Sequence, residues 1–361
     1  MKKKNSVLIT ILVALTFYLI IPNTLYASEA TSYLAFIDAT TNYTALIRAK
    51  KPGEEIKAAQ DKMIAAGEKY IRKYEDKVPV NTSIILQNLV LVFYNLKKHD
   101  KVIYYGEKLA KKPGLKDIQK ASLFLFLADS YISTGKDYKR GNDFADGIKL
   151  IATNNISTTT GLQKKRWQNL LGQALRFKGN VFYIKKDYDN AVSNFIESYK
   201  NYPSKRTLKT IREIGRKYFK QKQYKKALSV FEFSYQALSK ISSKRAQECL
   251  KLLARTYSKL GMTDKAIQTF SKLYSKRKNA ELAYRIGALY NKKFKISGGK
   301  DKSFLEKAKL YWAESVVLKS PQLYAKQAEK ILKNYMIKME KATLQEYEDI
   351  LKVAKKRLGL I

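Results

Sequence analysis

Chemistry that makes or breaks covalent bonds needs paired reactive groups, and this sequence is short of the usual ones. It holds one histidine, His99, and one cysteine, Cys249. A nucleophile–base pair or a Cys/His metal set asks for more of both. Cys249 stands one residue before Leu250 in a helical pattern and reads as a half-buried structural thiol, and a lone cysteine forms no intramolecular disulfide. His99 falls in a turn between two helical patterns, a place for packing or solvent contact. The 31 Asp+Glu could in number supply a carboxylate pair for glycoside cleavage, but no motif points to one. No cofactor or metal is expected, and the chain reads as non-enzymatic. What stands out is charge: 71 Lys+Arg against 31 Asp+Glu, or +40. That bears on partners and solubility, not on fold. Nucleic acid, anionic headgroups, acidic glycans or an acidic protein could each be the counterpart; a lysine-rich background on solvated helix faces is the plain alternative.

The elements that carry these side chains are helices in a repeat. A small residue is followed three on by an aromatic, nine further by alanine and four further by another aromatic. Gly179, Phe182, Ala191 and Phe195 fit this, as do Gly215, Tyr218, Ala227 and Phe231, then Ala254, Tyr257, Ala266 and Phe270. Leu175, Gly179 and Phe182 are spaced i, i+4, i+7, which is one stripe of a helix. Small residues at Gly179 and Ala191 would let two helix backbones approach, with Phe182 and Phe195 filling the wedge. A fourth copy carries Ile286, Gly287 and Tyr290, then Ala308, Trp312 and Ser315. It has extra glycine-rich, polar sequence between its helices, read as an extended hairpin loop over 297–303. Self-similarity at about 33 to 39 residues predicts stacked helical hairpins in place of one globular core.

The best copy, GNVFYIKKDYDNAVSNFIESYKNYP from Gly179, resembles the tetratricopeptide repeat, here in an exported bacterial form. Tyr188 takes that family's turn tyrosine and Pro203 its terminal proline. The resemblance implies an all-α fold, a right-handed superhelical solenoid of antiparallel helix pairs. Upstream the match weakens. Leu86, Leu89, Val90 and Phe93, and then Phe124, Leu127, Ala128 and Tyr131, mark two looser copies. The expected organisation is a signal peptide over 1–27, N-terminal helices (a divergent repeat or cap) over 28–80 and two weaker repeats over 81–153. A linker or bend, NNISTTTG, follows over 154–161, then four repeats over 162–320 and capping helices over 321–361.

The family's first helices line a concave face, and ligand contact falls beside the packing stripe. Carried onto this sequence, that face holds Arg176, Asn180 and Tyr183, then Lys209, Arg212, Arg216, Phe219 and Lys220. Lys251, Arg255 and Lys259 follow, then Tyr284, Asn291 and Lys292. The resemblance thus implies a basic ladder punctuated by aromatics, suited to an extended acidic protein segment. Some members clamp a terminal carboxylate with Lys and Asn; Arg176 and Asn180 echo that, whereas Glu213 departs from it.

The N-terminus sets the compartment. Lys2, Lys3 and Lys4 precede an apolar stretch over 7–21, broken by Pro22 and Asn23, with small residues at Ala27 and Ala30 where a peptidase could cut. The stretch is shorter than the about 20 residues of a membrane span. The reading is an exported, periplasmic or secreted protein, with an uncleaved N-terminal membrane anchor as the alternative. Export disfavours nucleic acid and leaves an acidic protein or peptide as the expected partner. An anionic membrane surface or envelope polymer is the rival.

Overall fold

Few chain breakers and sustained helical periodicity give helix after helix: the sequence has only six prolines and 16 glycines. The computed structural model describes residues 24–361, and among them there is no strand. The basic and apolar segments expected to direct export, residues 2–23, lie outside the described residues. None of the described helices is long and apolar enough to cross a membrane. The chain divides into two compact units, with the boundary between Val181 and Phe182.

The first unit begins with α1 (Thr24–Arg48) and α2 (Gly53–Tyr74), joined by a short turn that ends on Pro52. Proline there fixes the backbone for helix entry and loses no intrahelical hydrogen bond. There follow α3 (Pro79–Asn95), α4 (His99–Ala110), α5 (Asp117–Thr134), α6 (Tyr138–Thr158) and α7 (Gly161–Ile184), whose last residues belong to the second unit. Phe36, Met63, Tyr70, Ile85 and Leu89 pack one core, and Ala128, Ile148, Trp167 and Leu175 another. The segment 154–161, expected as a linker or bend, is mostly helix. Only Thr159 and Thr160 separate α6 from α7. Its hydroxyls explain this: Ser157 donates to Asn154 O at 2.7 Å and Thr159 to Asn155 O at 2.6 Å, satisfying carbonyls of the last turn.

The second unit continues with α8 (Tyr188–Asn201), α9 (Lys205–Lys220), α10 (Tyr224–Ser239), α11 (Ser243–Lys259), α12 (Thr263–Lys276), α13 (Ala280–Ile296) and α14 (Lys302–Leu318). Then come α15 (Gln322–Lys333), prolonged by a π-helical stretch Asn334–Met339, and α16 (Leu344–Leu358). Sequential neighbours pack on each other, as α9 does on α10, α10 on α11, and α13 on α14. The small position of the repeat has a steric cause. A Cβ on Gly215 would come within 2.7 Å of the Phe231 ring, and one on Gly287 within 2.7 Å of the Trp312 indole. Each glycine is thus the seat of the partner helix's large aromatic. The loop expected over 297–303 spans 297–301, with Gly298 and Gly299 at φ 64° and 78°.

The hairpin turns share one backbone device. A residue two or three before the second helix is left-handed in five of them: Lys97 (φ 58°), Gly135 (68°), Lys186 (61°), Lys222 (61°) and Gly261 (77°) stand just after successive first helices. A left-handed residue there reverses the chain and satisfies terminal carbonyls. The backbone thus repeats even where the side chain does not.

Candidate functional site

The first helices of the second unit meet along a line of polar contacts from α9 to α15. At the α9 end, Arg212 is only 9% exposed. Its Nη1 stands 3.8 Å from Glu248 Oε2 of α11, an ion pair too long for a hydrogen bond. Its Nε and Nη1 have no hydrogen-bond partner. A guanidinium has five N–H groups and no way to lose its charge, so orphaned donors in a buried position are costly. Arg216, one turn on, is exposed. Both arginines act on Cys249: burial pushes that thiol up to about 12, and the two cations pull the other way. The thiol, donating to Phe231 O at 3.3 Å, stays protonated and out of nucleophilic chemistry at neutral pH.

Further along, the polar groups find one another. Lys251 Nζ of α11 donates to Glu281 Oε2 of α13. Arg285 Nε donates to Glu281 Oε1 at 3.0 Å, and Arg285 Nη2 to Tyr324 Oη of α15 at 3.1 Å. The Glu281 side chain is only 13% exposed. Burial pushes its carboxyl up, but the hydrogen bonds from Lys251 and Arg285 outweigh burial and hold it below the ordinary carboxylate range. Tyr284 packs against Tyr324 with ring centres 5.7 Å apart. Tyr335 Oη donates to Asn291 Oδ1 at 2.9 Å.

The aromatics of the expected ladder are also occupied. Arg255 of α11 lies over the Phe219 ring of α9 at 5.4 Å. Lys217 lies over Tyr183 at 5.5 Å and Tyr188 at 5.2 Å. Lys209 sits 3.9 Å from Glu213 in an exposed pair of little energetic weight. Lys220, Lys259 and Lys292 are exposed. Arg176 and Asn180, half-buried, belong to the first unit. There the Arg176 guanidinium lies over Phe177 at 4.8 Å, near Tyr94, which donates to Asp129 Oδ2 at 2.7 Å.

The structure therefore resolves the expected ladder into different kinds of residue. Lys251, Arg255, Tyr183, Phe219, Tyr284 and Asn291 are engaged within the protein. Arg212 is buried with open donors, and Arg216 and the outer lysines face solvent. Sequence reading passed over Glu281, Arg285 and Tyr324. Of these, the Glu281–Arg285 brace was visible in its i, i+4 spacing.

Tyrosines on first helices anchor to carboxylates of the preceding hairpin. Tyr218 Oη of α9 donates to Asp189 of α8 at 2.6 Å, and Tyr257 Oη of α11 to Glu232 of α10 at 3.0 Å. In the first unit, Tyr131 of α5 donates to Glu107 at 3.0 Å, and Tyr105, on the second helix α4, makes the same kind of bond to Glu68 at 2.7 Å. The sequence had suggested packing alone for these rings. His99 faces Ser130, its Nδ1 3.1 Å from the hydroxyl oxygen.

No protein-family model matches the chain. No curated protein matches it either. Among solved structures it is similar to a tetratricopeptide repeat protein from Parabacteroides merdae, at 14% identity over 84% of this chain and 100% of that one, with a TM-score of 0.39. It is similar to the C-terminal part of a TPR repeat-containing protein from Cytophaga hutchinsonii, at 16% identity over 88% of this chain and 99% of that one, TM-score 0.40. The apo form of RapI matches at 16% identity over 84% of this chain and 99% of that one, TM-score 0.41. At such identities and scores, the likeness carries nothing about partner or chemistry.

Proposed function

We propose that this protein is a non-enzymatic scaffold, exported to the cell envelope or secreted space, that binds an acidic segment of another protein on the first-helix face of its second unit. The observation that carries the reading is Arg212, a buried guanidinium whose Nε and Nη1 have no hydrogen-bond partner. Those two atoms are closed to solvent, so an incoming carboxylate at the surface acts on the guanidinium's charge, which lowers a cost the free protein bears. Arg216 extends the positive surface by one turn, and exposed Lys209 and Lys220 lie on the same helix. Export rests on the N-terminal sequence, in which three lysines precede the apolar stretch over 7–21.

Charge reversal at Arg212 and Arg216 tests the proposal, with partner capture read by pull-down across a salt series. Loss of a sequence-dependent partner that survives moderate salt in the unmodified protein supports it. Capture unchanged by the reversal overturns it. Steep loss with salt and indifference to partner sequence would instead mark the net charge of +40 acting on an anionic polymer or membrane.

A further inference from the structure

Two residues in the sequence offer a place for a peptidase to release the N-terminal segment: Ala27 and Ala30. Both lie in α1, and the contacts around them differ. Glu29, between the two, is buried. Its Oε1 accepts from the Tyr70 hydroxyl and from Asn81 Nδ2, the latter at 3.1 Å. Tyr70 is fully buried in the first core, its ring tilted against those of Tyr33 and Tyr74. Ser28 Oγ lies 2.9 Å from Tyr74 Oη. Ser32 Oγ donates to Ser28 O at 2.9 Å. Ala27 is exposed, and its carbonyl accepts an exposed bond from the Thr31 hydroxyl.

A cut after Ala30 would carry off Ser28 and Glu29. Tyr70 would keep a buried donor, and Asn81 a half-buried one, without this acceptor, and Tyr74 would lose the Ser28 hydroxyl. A cut after Ala27 leaves Ser28 and Glu29, and every contact just named, in place. It shortens only the first turn of α1, where four backbone N–H groups lack intrahelical partners in any case. Resting on the export reading above, we infer that the mature protein begins at Ser28, and that Glu29 is retained as the acceptor that seats α1 on α2 and α3. The step is hydrolysis by an export-associated peptidase: water adds across the Ala27–Ser28 peptide bond, leaving a carboxylate on Ala27 and an amine on Ser28. It precedes folding of α1, because a peptidase takes extended backbone and this bond lies inside the folded helix.

The test is N-terminal sequencing and intact-mass measurement of the protein recovered from the envelope and medium of a bacterial host making the full chain. The account expects a chain starting Ser28-Glu29-Ala30. A chain lighter by those three residues, starting at Thr31, overturns the inference and leaves export standing. A chain from the envelope still carrying Met1 or Lys2 overturns the inference and marks an uncleaved N-terminal anchor, whereas no chain in either envelope or medium overturns export itself. A second measurement compares thermal unfolding of chains made directly from Ser28 and from Thr31. The shorter one should melt lower by roughly 5 °C. Equal midpoints would show that Glu29 seats nothing, and would overturn its assigned role.

Discussion

Arg212 on α9 and Glu281 on α13 sit on first helices of the same unit, in equally basic company, and are resolved in opposite ways. Around Glu281 the buried charge is matched: Lys251 and Arg285 both donate to it, and Arg285 reaches on to Tyr324. Around Arg212 the buried charge is left open, with Glu248 at 3.8 Å and no hydrogen bond to Nε or Nη1. The difference shows that a basic stripe in sequence is not one surface. Where a carboxylate closes the network, the cations serve the fold. Where none closes it with a hydrogen bond, the burial costs free energy.

The comparison breaks most visibly at Glu281. Replacing Glu281 with Leu leaves two cations without their shared acceptor and should destabilise the second unit by about 2 kcal/mol, less than for a fully buried pair because Lys251 and Arg285 are partly exposed. Denaturant unfolding measures it, and a loss near zero would remove the distinction between the two regions. The same carboxylate carries a pH signature. Its folded pKa is depressed, so its contribution is full above its unfolded value and is lost as pH falls through the folded value. Stability of the parent protein should therefore drop on acidification below the ordinary glutamate range, and Glu281→Gln should flatten that limb.

At Arg212 the expected sign reverses. Arg212→Met keeps the bulk of the stem and deletes a poorly satisfied buried charge. It should leave stability within about 1 kcal/mol of the parent or raise it, while abolishing partner capture. A destabilisation as large as that of Glu281→Leu would mean that Arg212 is structural. The smallest effect belongs to Arg255, which covers Phe219. Arg255→Gln should cost about 0.5–1 kcal/mol by the same unfolding measurement.

How much of this was legible in the sequence follows from distance along the chain. Helices and their small seats were readable because Gly215 and Gly287 recur in register with their aromatics at a helical period. The left-handed turns at Lys97, Lys186 and Lys222 were not, since lysine gives no local sign of positive φ; Gly135 and Gly261 did. The tyrosine anchors and the Lys251–Glu281 bond join residues of different hairpins, 24 to 37 positions apart. A repeat of uneven length does not fix which carboxylate meets which partner. The site was therefore legible as a set of candidates, and the sorting into braced and open residues needed the packed helices. Residues 154–161 erred for a related reason: Ser and Thr in NNISTTTG look like loop formers, but their hydroxyls bond back to the preceding turn and carry α6 to Thr158.

The most direct measurement is photo-crosslinking in cells from a reactive residue placed at exposed position 216, next to Arg212, in chains with and without Arg212→Met. The account predicts a discrete protein adduct whose crosslinked segment is rich in Asp and Glu, and its disappearance in the Arg212→Met chain at unchanged abundance. An adduct of equal yield in both chains, or none in either, would contradict the claim that Arg212 marks the partner's seat.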